Sequence, residues 1–362
     1  MSLSNSELKG KPEEVESPSG RRQGQRKVSE VAPRPLRGRG TKPAEPSDKR
    51  LVPPGDSAEA GSIRPLWETL TPSLLETAWS LAEKTGAKAI FLYVHAITDP
   101  RILKPLAKGP EIILVAKTEE GFRTASAWGK RVIRVPNAQL NRVDQIKLVV
   151  LLALSERLVA SGDLIVCLSG GAQRAHVDTL ALVEVGHEFV LAVDDLLRER
   201  EGIDPKVFSA VVNLAVELAH EGREGRPIGA LMVLGDHDQV LDYSRQMIIN
   251  PFRGHPESAR NILDPNLRET IKEFASLDGA FVIRGDGVIL SAGRHLNAVY
   301  RGDSLPQGLG ARHAAAAAIT GISKALAVTI SESTGTVTIY RDGQTVASLE
   351  KAYPEAPSAP AL

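Results

Sequence analysis

The sequence predicts two folded domains of different class behind a basic, unstructured N-terminal segment. Residues 63–200 read as a three-layer α/β domain, and residues 201–350 as an α+β domain with a mixed sheet flanked by helices. Three observations carry this. Composition changes abruptly near residue 62. Short apolar runs then alternate with helical stretches up to about Asp195. Beyond Asp204 two hairpin patterns appear among further helices. The length of 362 residues suits about two domains at roughly 150 residues each.

Residues 1–62 are rich in Pro, Gly, Ser and charge, and the first aromatic residue is Trp67. Such a segment cannot bury enough apolar surface to offset its ordering entropy, so disorder is expected. Arg21, Arg22, Arg26, Lys27, Arg34, Arg37 and Arg39 make it basic. That would suit a weak electrostatic arm, but a solvated tail is the plainer reading.

In the α/β part, Pro72–Thr85 is expected to be a helix capped by Thr71 and closed by Gly86. Ala89–Val94, Ile112–Ala116, Val132–Val135 and Leu164–Leu168 are apolar runs of buried-strand type, with a long helix over Arg142–Leu158. The loop after Leu168 opens with Ser169-Gly170-Gly171. As a loop at a strand end it is expected to take an anion on Arg174 and His176.

Asp204-Pro205 starts the second domain: Asp caps a helix and Pro takes its first position. Val207, Val211, Leu214 and Leu218 form its apolar stripe. A strand over Ile228–Leu234 and helices over Asp238–Met247 and Pro265–Phe274 follow. Ala280–Ile283 and Val288–Ser291 read as one hairpin, Leu326–Ile330 and Thr336–Tyr340 as another, with a helix over Arg312–Ser323 between them.

Composition excludes several classes. Lys plus Arg and Asp plus Glu are 44 each, so the formal net charge is zero and gives no overall pull toward nucleic acid. One cysteine, Cys167, excludes an internal disulfide or a cysteine-rich zinc site. The longest apolar run, Leu148–Leu154, is far short of the roughly 20 residues a membrane helix needs. The N-terminus has no apolar signal-peptide core. A cytoplasmic protein without a membrane or nucleic-acid partner is expected.

Three clusters carry chemistry. Asp278-Gly279-Ala280 places a carboxylate at a strand entry with room for a ligand, able to hold a divalent metal or take a proton. Gly308-Leu309-Gly310-Ala311-Arg312-His313 leads into an Ala-rich helix. A helix start with glycines offers free N–H groups to an anion, and Arg312 and His313 add donors. Ser331-Glu332-Ser333-Thr334-Gly335 offers a hydroxyl and a carboxylate at a strand end. Each cluster alone is more simply a turn or a helix start. Together they supply what nucleotidyl transfer needs: carboxylates for a metal, an anion cradle and a clamp on leaving phosphates.

These motifs resemble the signature set of diadenylate cyclase (DAC) domains, over roughly Ile203–Gly343. The resemblance implies condensation of two ATP into cyclic di-AMP, with a divalent metal, Mn2+ or Mg2+. It implies that Asp278 binds metal and activates the ribose 3′-hydroxyl, and that Arg312 and His313 contact phosphates. Glu332 helps hold metal, and Ser331 lies against the nucleotide beside Gly279, Ala280, Gly310 and Ala311. It also implies face-to-face pairing of subunits. Many members carry Arg-His-Arg preceded by Thr, whereas this chain has Ala311-Arg312-His313-Ala314, with Arg223 or Arg226 as candidate substitutes.

Residues Leu66–Asp195 resemble the C-terminal domain of pyruvate kinase. Gly86–Ile90, Arg134–Asn137 and Gly162–Gly170 carry the likeness, which implies a regulatory or oligomerising role and an anionic effector. The pairing is similar to the archaeal-type diadenylate cyclases. The alternative is a non-catalytic nucleotide-binding sensor with a DAC-like pocket.

Overall fold

A computed structural model describes residues 66–97, 99–106, 109–170, 176–186, 202–299 and 310–351. The expectation for residues 1–62 lies outside them, as does the boundary expected at 200/201.

The first sheet has the order β3-β2-β1-β4-β5. Its strands are β1 (Ala89–Tyr93), β2 (Glu111–Ala116), β3 (Arg131–Arg134), β4 (Leu164–Ser169) and β5 (Thr179–Glu184). The first four are parallel, and β5 runs antiparallel to β4. β1 is buried along its whole length, which is why it reads as an unbroken apolar run rather than an alternating one. Ile90 and Leu92 face α1 (Leu66–Thr85) and α2 (Glu119–Ala127). Phe91 and Tyr93 share a core with α3 (Arg142–Ser155). Cys167 is buried in this core, and burial pushes its thiol up to about 12.

The second sheet has the order β12-β11-β10-β6-β8-β9-β7. Its strands are β6 (Ala230–Leu234), β7 (Ser244–Gln246), β8 (Ala280–Ile283), β9 (Ile289–Leu296), β10 (Leu326–Ile330), β11 (Val337–Arg341) and β12 (Gln344–Leu349). Only the β6–β8 pair is parallel. On one face lies α4 (Pro205–Glu221); on the other, α7 (Ala311–Ile322) packs its alanines against Leu231, Val233 and Ala327. The short helices α5 (His237–Asp242) and α6 (Arg268–Phe274) lie in the connections.

Asp204 caps α4 by accepting from the Lys206 amide, with Pro205 in the first turn. Its stripe residues Val207, Val211, Leu214 and Leu218 are all buried. They pack in the same core as α3, so one helix layer serves both sheets. A buried contact between the Ser155 and Ser209 hydroxyls, 3.0 Å apart, ties the two helices. Burying each large apolar side chain in this layer is worth about 1.5–3 kcal/mol. No helix among the described residues is long and apolar enough to cross a membrane.

Several elements differ from expectation. α1 begins before Pro72, because the Thr71 hydroxyl accepts from the Val177 amide at 3.4 Å instead of capping a helix. The helix expected over Asp238–Met247 stops at Asp242. Arg294 takes the carbonyls of Leu241 and Ser244, and Ser244–Gln246 becomes an edge strand against β9. α3 stops at Ser155, two residues before the left-handed Arg157. The segment Pro265–Phe274 is a 3-10 turn followed by α6. β5, β12 and α2 lie where no element was expected.

Candidate active site

Strand register brings the clusters together. Ala230 pairs with Ile330 and Leu231 with Ala280. Because β10 runs against β6 and β6 runs with β8, three segments emerge at one end of the sheet: Gly229 before β6, Asp278-Gly279 before β8, and Ser331-Glu332 after β10. α7 starts there too, with Gly310 as its N-cap. All of these but Gly229 line an open cleft of about 1230 Å³. Gly308 and Leu309 lie outside the described residues.

Arg312 stands between the two carboxylates. Its guanidinium reaches Asp278 Oδ1 at 3.5 Å and Glu332 Oε2 at 3.4 Å. Both contacts sit at the long limit of a hydrogen bond. The Asp278 side chain is 85% exposed and that of Glu332 65%, so these pairings are solvent-screened and worth at most about 1 kcal/mol. The guanidinium can therefore exchange carboxylates for phosphate oxygens at low cost.

One glycine is dictated by this packing, and a second sits close against Arg312. Gly279 has φ +102°, and a Cβ there would lie 2.7 Å from the backbone nitrogen of Arg294. A Cβ at Gly229 would lie 2.6 Å from the Arg312 guanidinium. Sequence reasoning missed Gly229, since nothing local marks it.

His313, on the first turn of α7, is 5% exposed, and its Nδ1 lies 2.9 Å from the Tyr340 hydroxyl and 3.1 Å from that of Thr329. Burial lowers its pKa, which disfavours the charged ring, and the residue also lines the cleft. The candidate substitutes also separate. Arg223 is held by Glu269 and Glu273, whereas Arg226 is exposed and lines the cleft. Of the remaining expected residues, Ala280 is buried at the start of β8, and Gly310, Ala311 and Ser331 line the cleft. In the other half, Arg174 lies outside the described residues.

Two carboxylates beside an arginine, over an exposed helix start, are the groups that a phosphate-handling site of the nucleotidyl-transfer class needs. Comparison with known proteins makes this specific. Residues 217–345 match the family described as DisA bacterial checkpoint controller nucleotide-binding. Residues 70–190 match one described as probable sensor domain DacZ_P. A diadenylate cyclase from Methanocaldococcus jannaschii is 34% identical over 245 residues, spanning 66% of this chain and 78% of that protein. One from Haloferax volcanii is 36% identical over 218 residues, spanning 60% of this chain and 79% of that protein. The chain belongs to the diadenylate cyclase family. A pyruvate kinase from Cryptosporidium parvum is similar at 18% identity, over 32% of this chain and 23% of that one. Its TM-score of 0.27 is too low to carry an argument about the α/β half.

Proposed function

We propose that the protein condenses two ATP molecules into cyclic di-AMP, releasing two pyrophosphates. The observation that carries this reading is Arg312 poised between Asp278 and Glu332 at the mouth of one cleft. Each new phosphodiester bond joins the 3′-oxygen of one nucleotide to the α-phosphorus of the other. The α–β phosphoanhydride breaks, and the bridging oxygen leaves with pyrophosphate. Asp278, exposed and on a rigid strand entry, accepts the 3′-hydroxyl proton. Arg312 moves from the carboxylates onto the triphosphate and steadies the charge on the departing pyrophosphate. Arg226 supplies the second phosphate contact that Ala314 cannot. Ser331, Gly310 and Ala311 border the nucleotide.

The two carboxylates suit a divalent metal of the Mg2+ or Mn2+ kind, which takes one or two carboxylates and completes its shell from phosphates and water. Asp278 and Glu332 would hold it, and when bound it would neutralise charge on the transferring phosphate.

The cleft carries one set of these groups, so the second nucleotide is taken to come from a facing subunit. ATP as substrate and a single buried thiol favour a cytoplasmic setting. We read residues 63–200 as a regulatory unit for an anionic effector and residues 201–350 as the catalytic unit. Incubating the purified chain with ATP and Mg2+ or Mn2+, and identifying products by mass, tests the proposal. Cyclic di-AMP with pyrophosphate is the expected outcome. ATP binding without any dinucleotide would favour the sensor reading.

A further inference from the structure

A second cavity, of about 350 Å³, lies where the α/β half meets α4 and α6. It opens at the carboxyl ends of β2 and β3, the end of a parallel sheet where ligands are commonly held. Lys117 follows β2, Arg134 ends β3, and Asn137 lies in the loop beyond. Asn213 from α4 and Arg268 from α6 close the other side.

Three features point to a ligand. First, Lys117 is partly buried, yet makes no ion pair with a carboxylate among the described residues. Its ammonium lies 5.1 Å from the centre of the Tyr93 ring. Burial lowers its pKa, the mark of a charge short of a counterion. Second, burial and then the nearby charge of Arg134 lower the Arg268 pKa, and both residues line the cavity. The nearby carboxylates are already engaged: Glu217 with Arg268 and Lys272, Glu119 with Arg134, and Asp264 with the Asn266 amide. Third, Asn213 donates to the Arg134 carbonyl at 3.2 Å, but its own Oδ1 is buried without a partner. A buried acceptor left unpaired calls for an explanation, and a donor on a bound molecule supplies one.

We propose that this cavity binds a small phosphorylated metabolite, a phosphate monoester that also carries a hydroxyl. The phosphate lies against Lys117 and Arg134, a charge-assisted arrangement that gives the Lys117 ammonium a counterion. The hydroxyl donates to Asn213 Oδ1. The volume falls at the low end of the range for small-molecule sites, which suits a sugar phosphate. α4 runs from this cavity to Glu221, and the turn after it carries Arg226 into the ATP cleft.

The test is calorimetry on the full chain carrying Arg312→Ala, which weakens phosphate binding in the cleft. The probes are inorganic phosphate, glycerol 3-phosphate and glucose 6-phosphate. Saturable one-site binding of a sugar phosphate is expected, weakened at least tenfold by Lys117→Gln and largely restored by Lys117→Arg. Asn213→Asp, which puts a negative charge into the cavity, should also remove it. No saturable binding of any probe, or binding that Lys117→Gln leaves unchanged, would overturn the proposal. The readout is binding, so a chain that made no cyclic dinucleotide would still answer the question.

Discussion

The rim of the ATP cleft and the helix layer between the two sheets use the same residue classes in opposite ways. At the rim, Arg312 meets its carboxylates at 3.4 and 3.5 Å in solvent. In the helix layer, Ser155 meets Ser209 in a buried contact, and most of the rest is close-packed Val, Leu and Phe. The difference is between groups that must change partners during a reaction and groups that must not. Loose ion pairs cost little to break, whereas buried contacts cost a great deal. The cleft can therefore be altered with little effect on folding, and the layer with little effect on chemistry.

The largest expected effect is at the rim. Asp278→Asn should lower the cyclase rate by about 10²–10⁴-fold, the usual worth of a positioned acid or base. Its thermal midpoint should stay near that of the unaltered protein, because the side chain is exposed. A large drop in midpoint would show that the Arg312 bridge is structural and would break the comparison.

The reciprocal experiment is in the layer. Leu214→Ala, at a position 2% exposed on α4, should cost about 2–5 kcal/mol in denaturant unfolding. The KM for ATP of the folded fraction should be unchanged. A changed KM would show that the layer and the cleft are mechanically coupled.

The smallest effect sharpens the contrast, because His313 belongs to the rim by sequence and to the core by environment. Its folded pKa lies below the ordinary value of 6.5 because of burial. The unfolded chain therefore binds the extra proton first. The contribution is fully present above pH 6.5 and is lost as pH falls through the folded pKa, with a slope of at most about one proton. His313→Gln should flatten unfolding free energy against pH on the acid side. An unchanged slope would show that the ring is not held in the buried environment described above.

Much of the fold was legible because it is written locally. Asp204-Pro205 and a stripe at helical spacing announce α4, and an unbroken apolar run announces β1. The edge strand β7 was missed because Ser244-Arg245-Gln246 carries no strand pattern of its own; Arg294, fifty residues away from Ser244, ends the preceding helix and lets the strand form. Pro72 argued for a helix start, but the Thr71 hydroxyl had another partner in Val177.

The same division holds for the site. Asp278-Gly279-Ala280, the run ending in Arg312-His313, and Ser331-Glu332 were recognisable as candidates from residue type and spacing alone, since backbone freedom, charge and helix starts are local properties. Only the tertiary structure decided that the parallel β6–β8 pair and the antiparallel β6–β10 pair bring them to one edge. It alone decided that Arg312 bridges both carboxylates, that His313 turns toward Tyr340, and that Arg226 rather than Arg223 reaches the cleft. These are outcomes of strand register and of competition among distant partners, and a linear pattern of residues does not contain them.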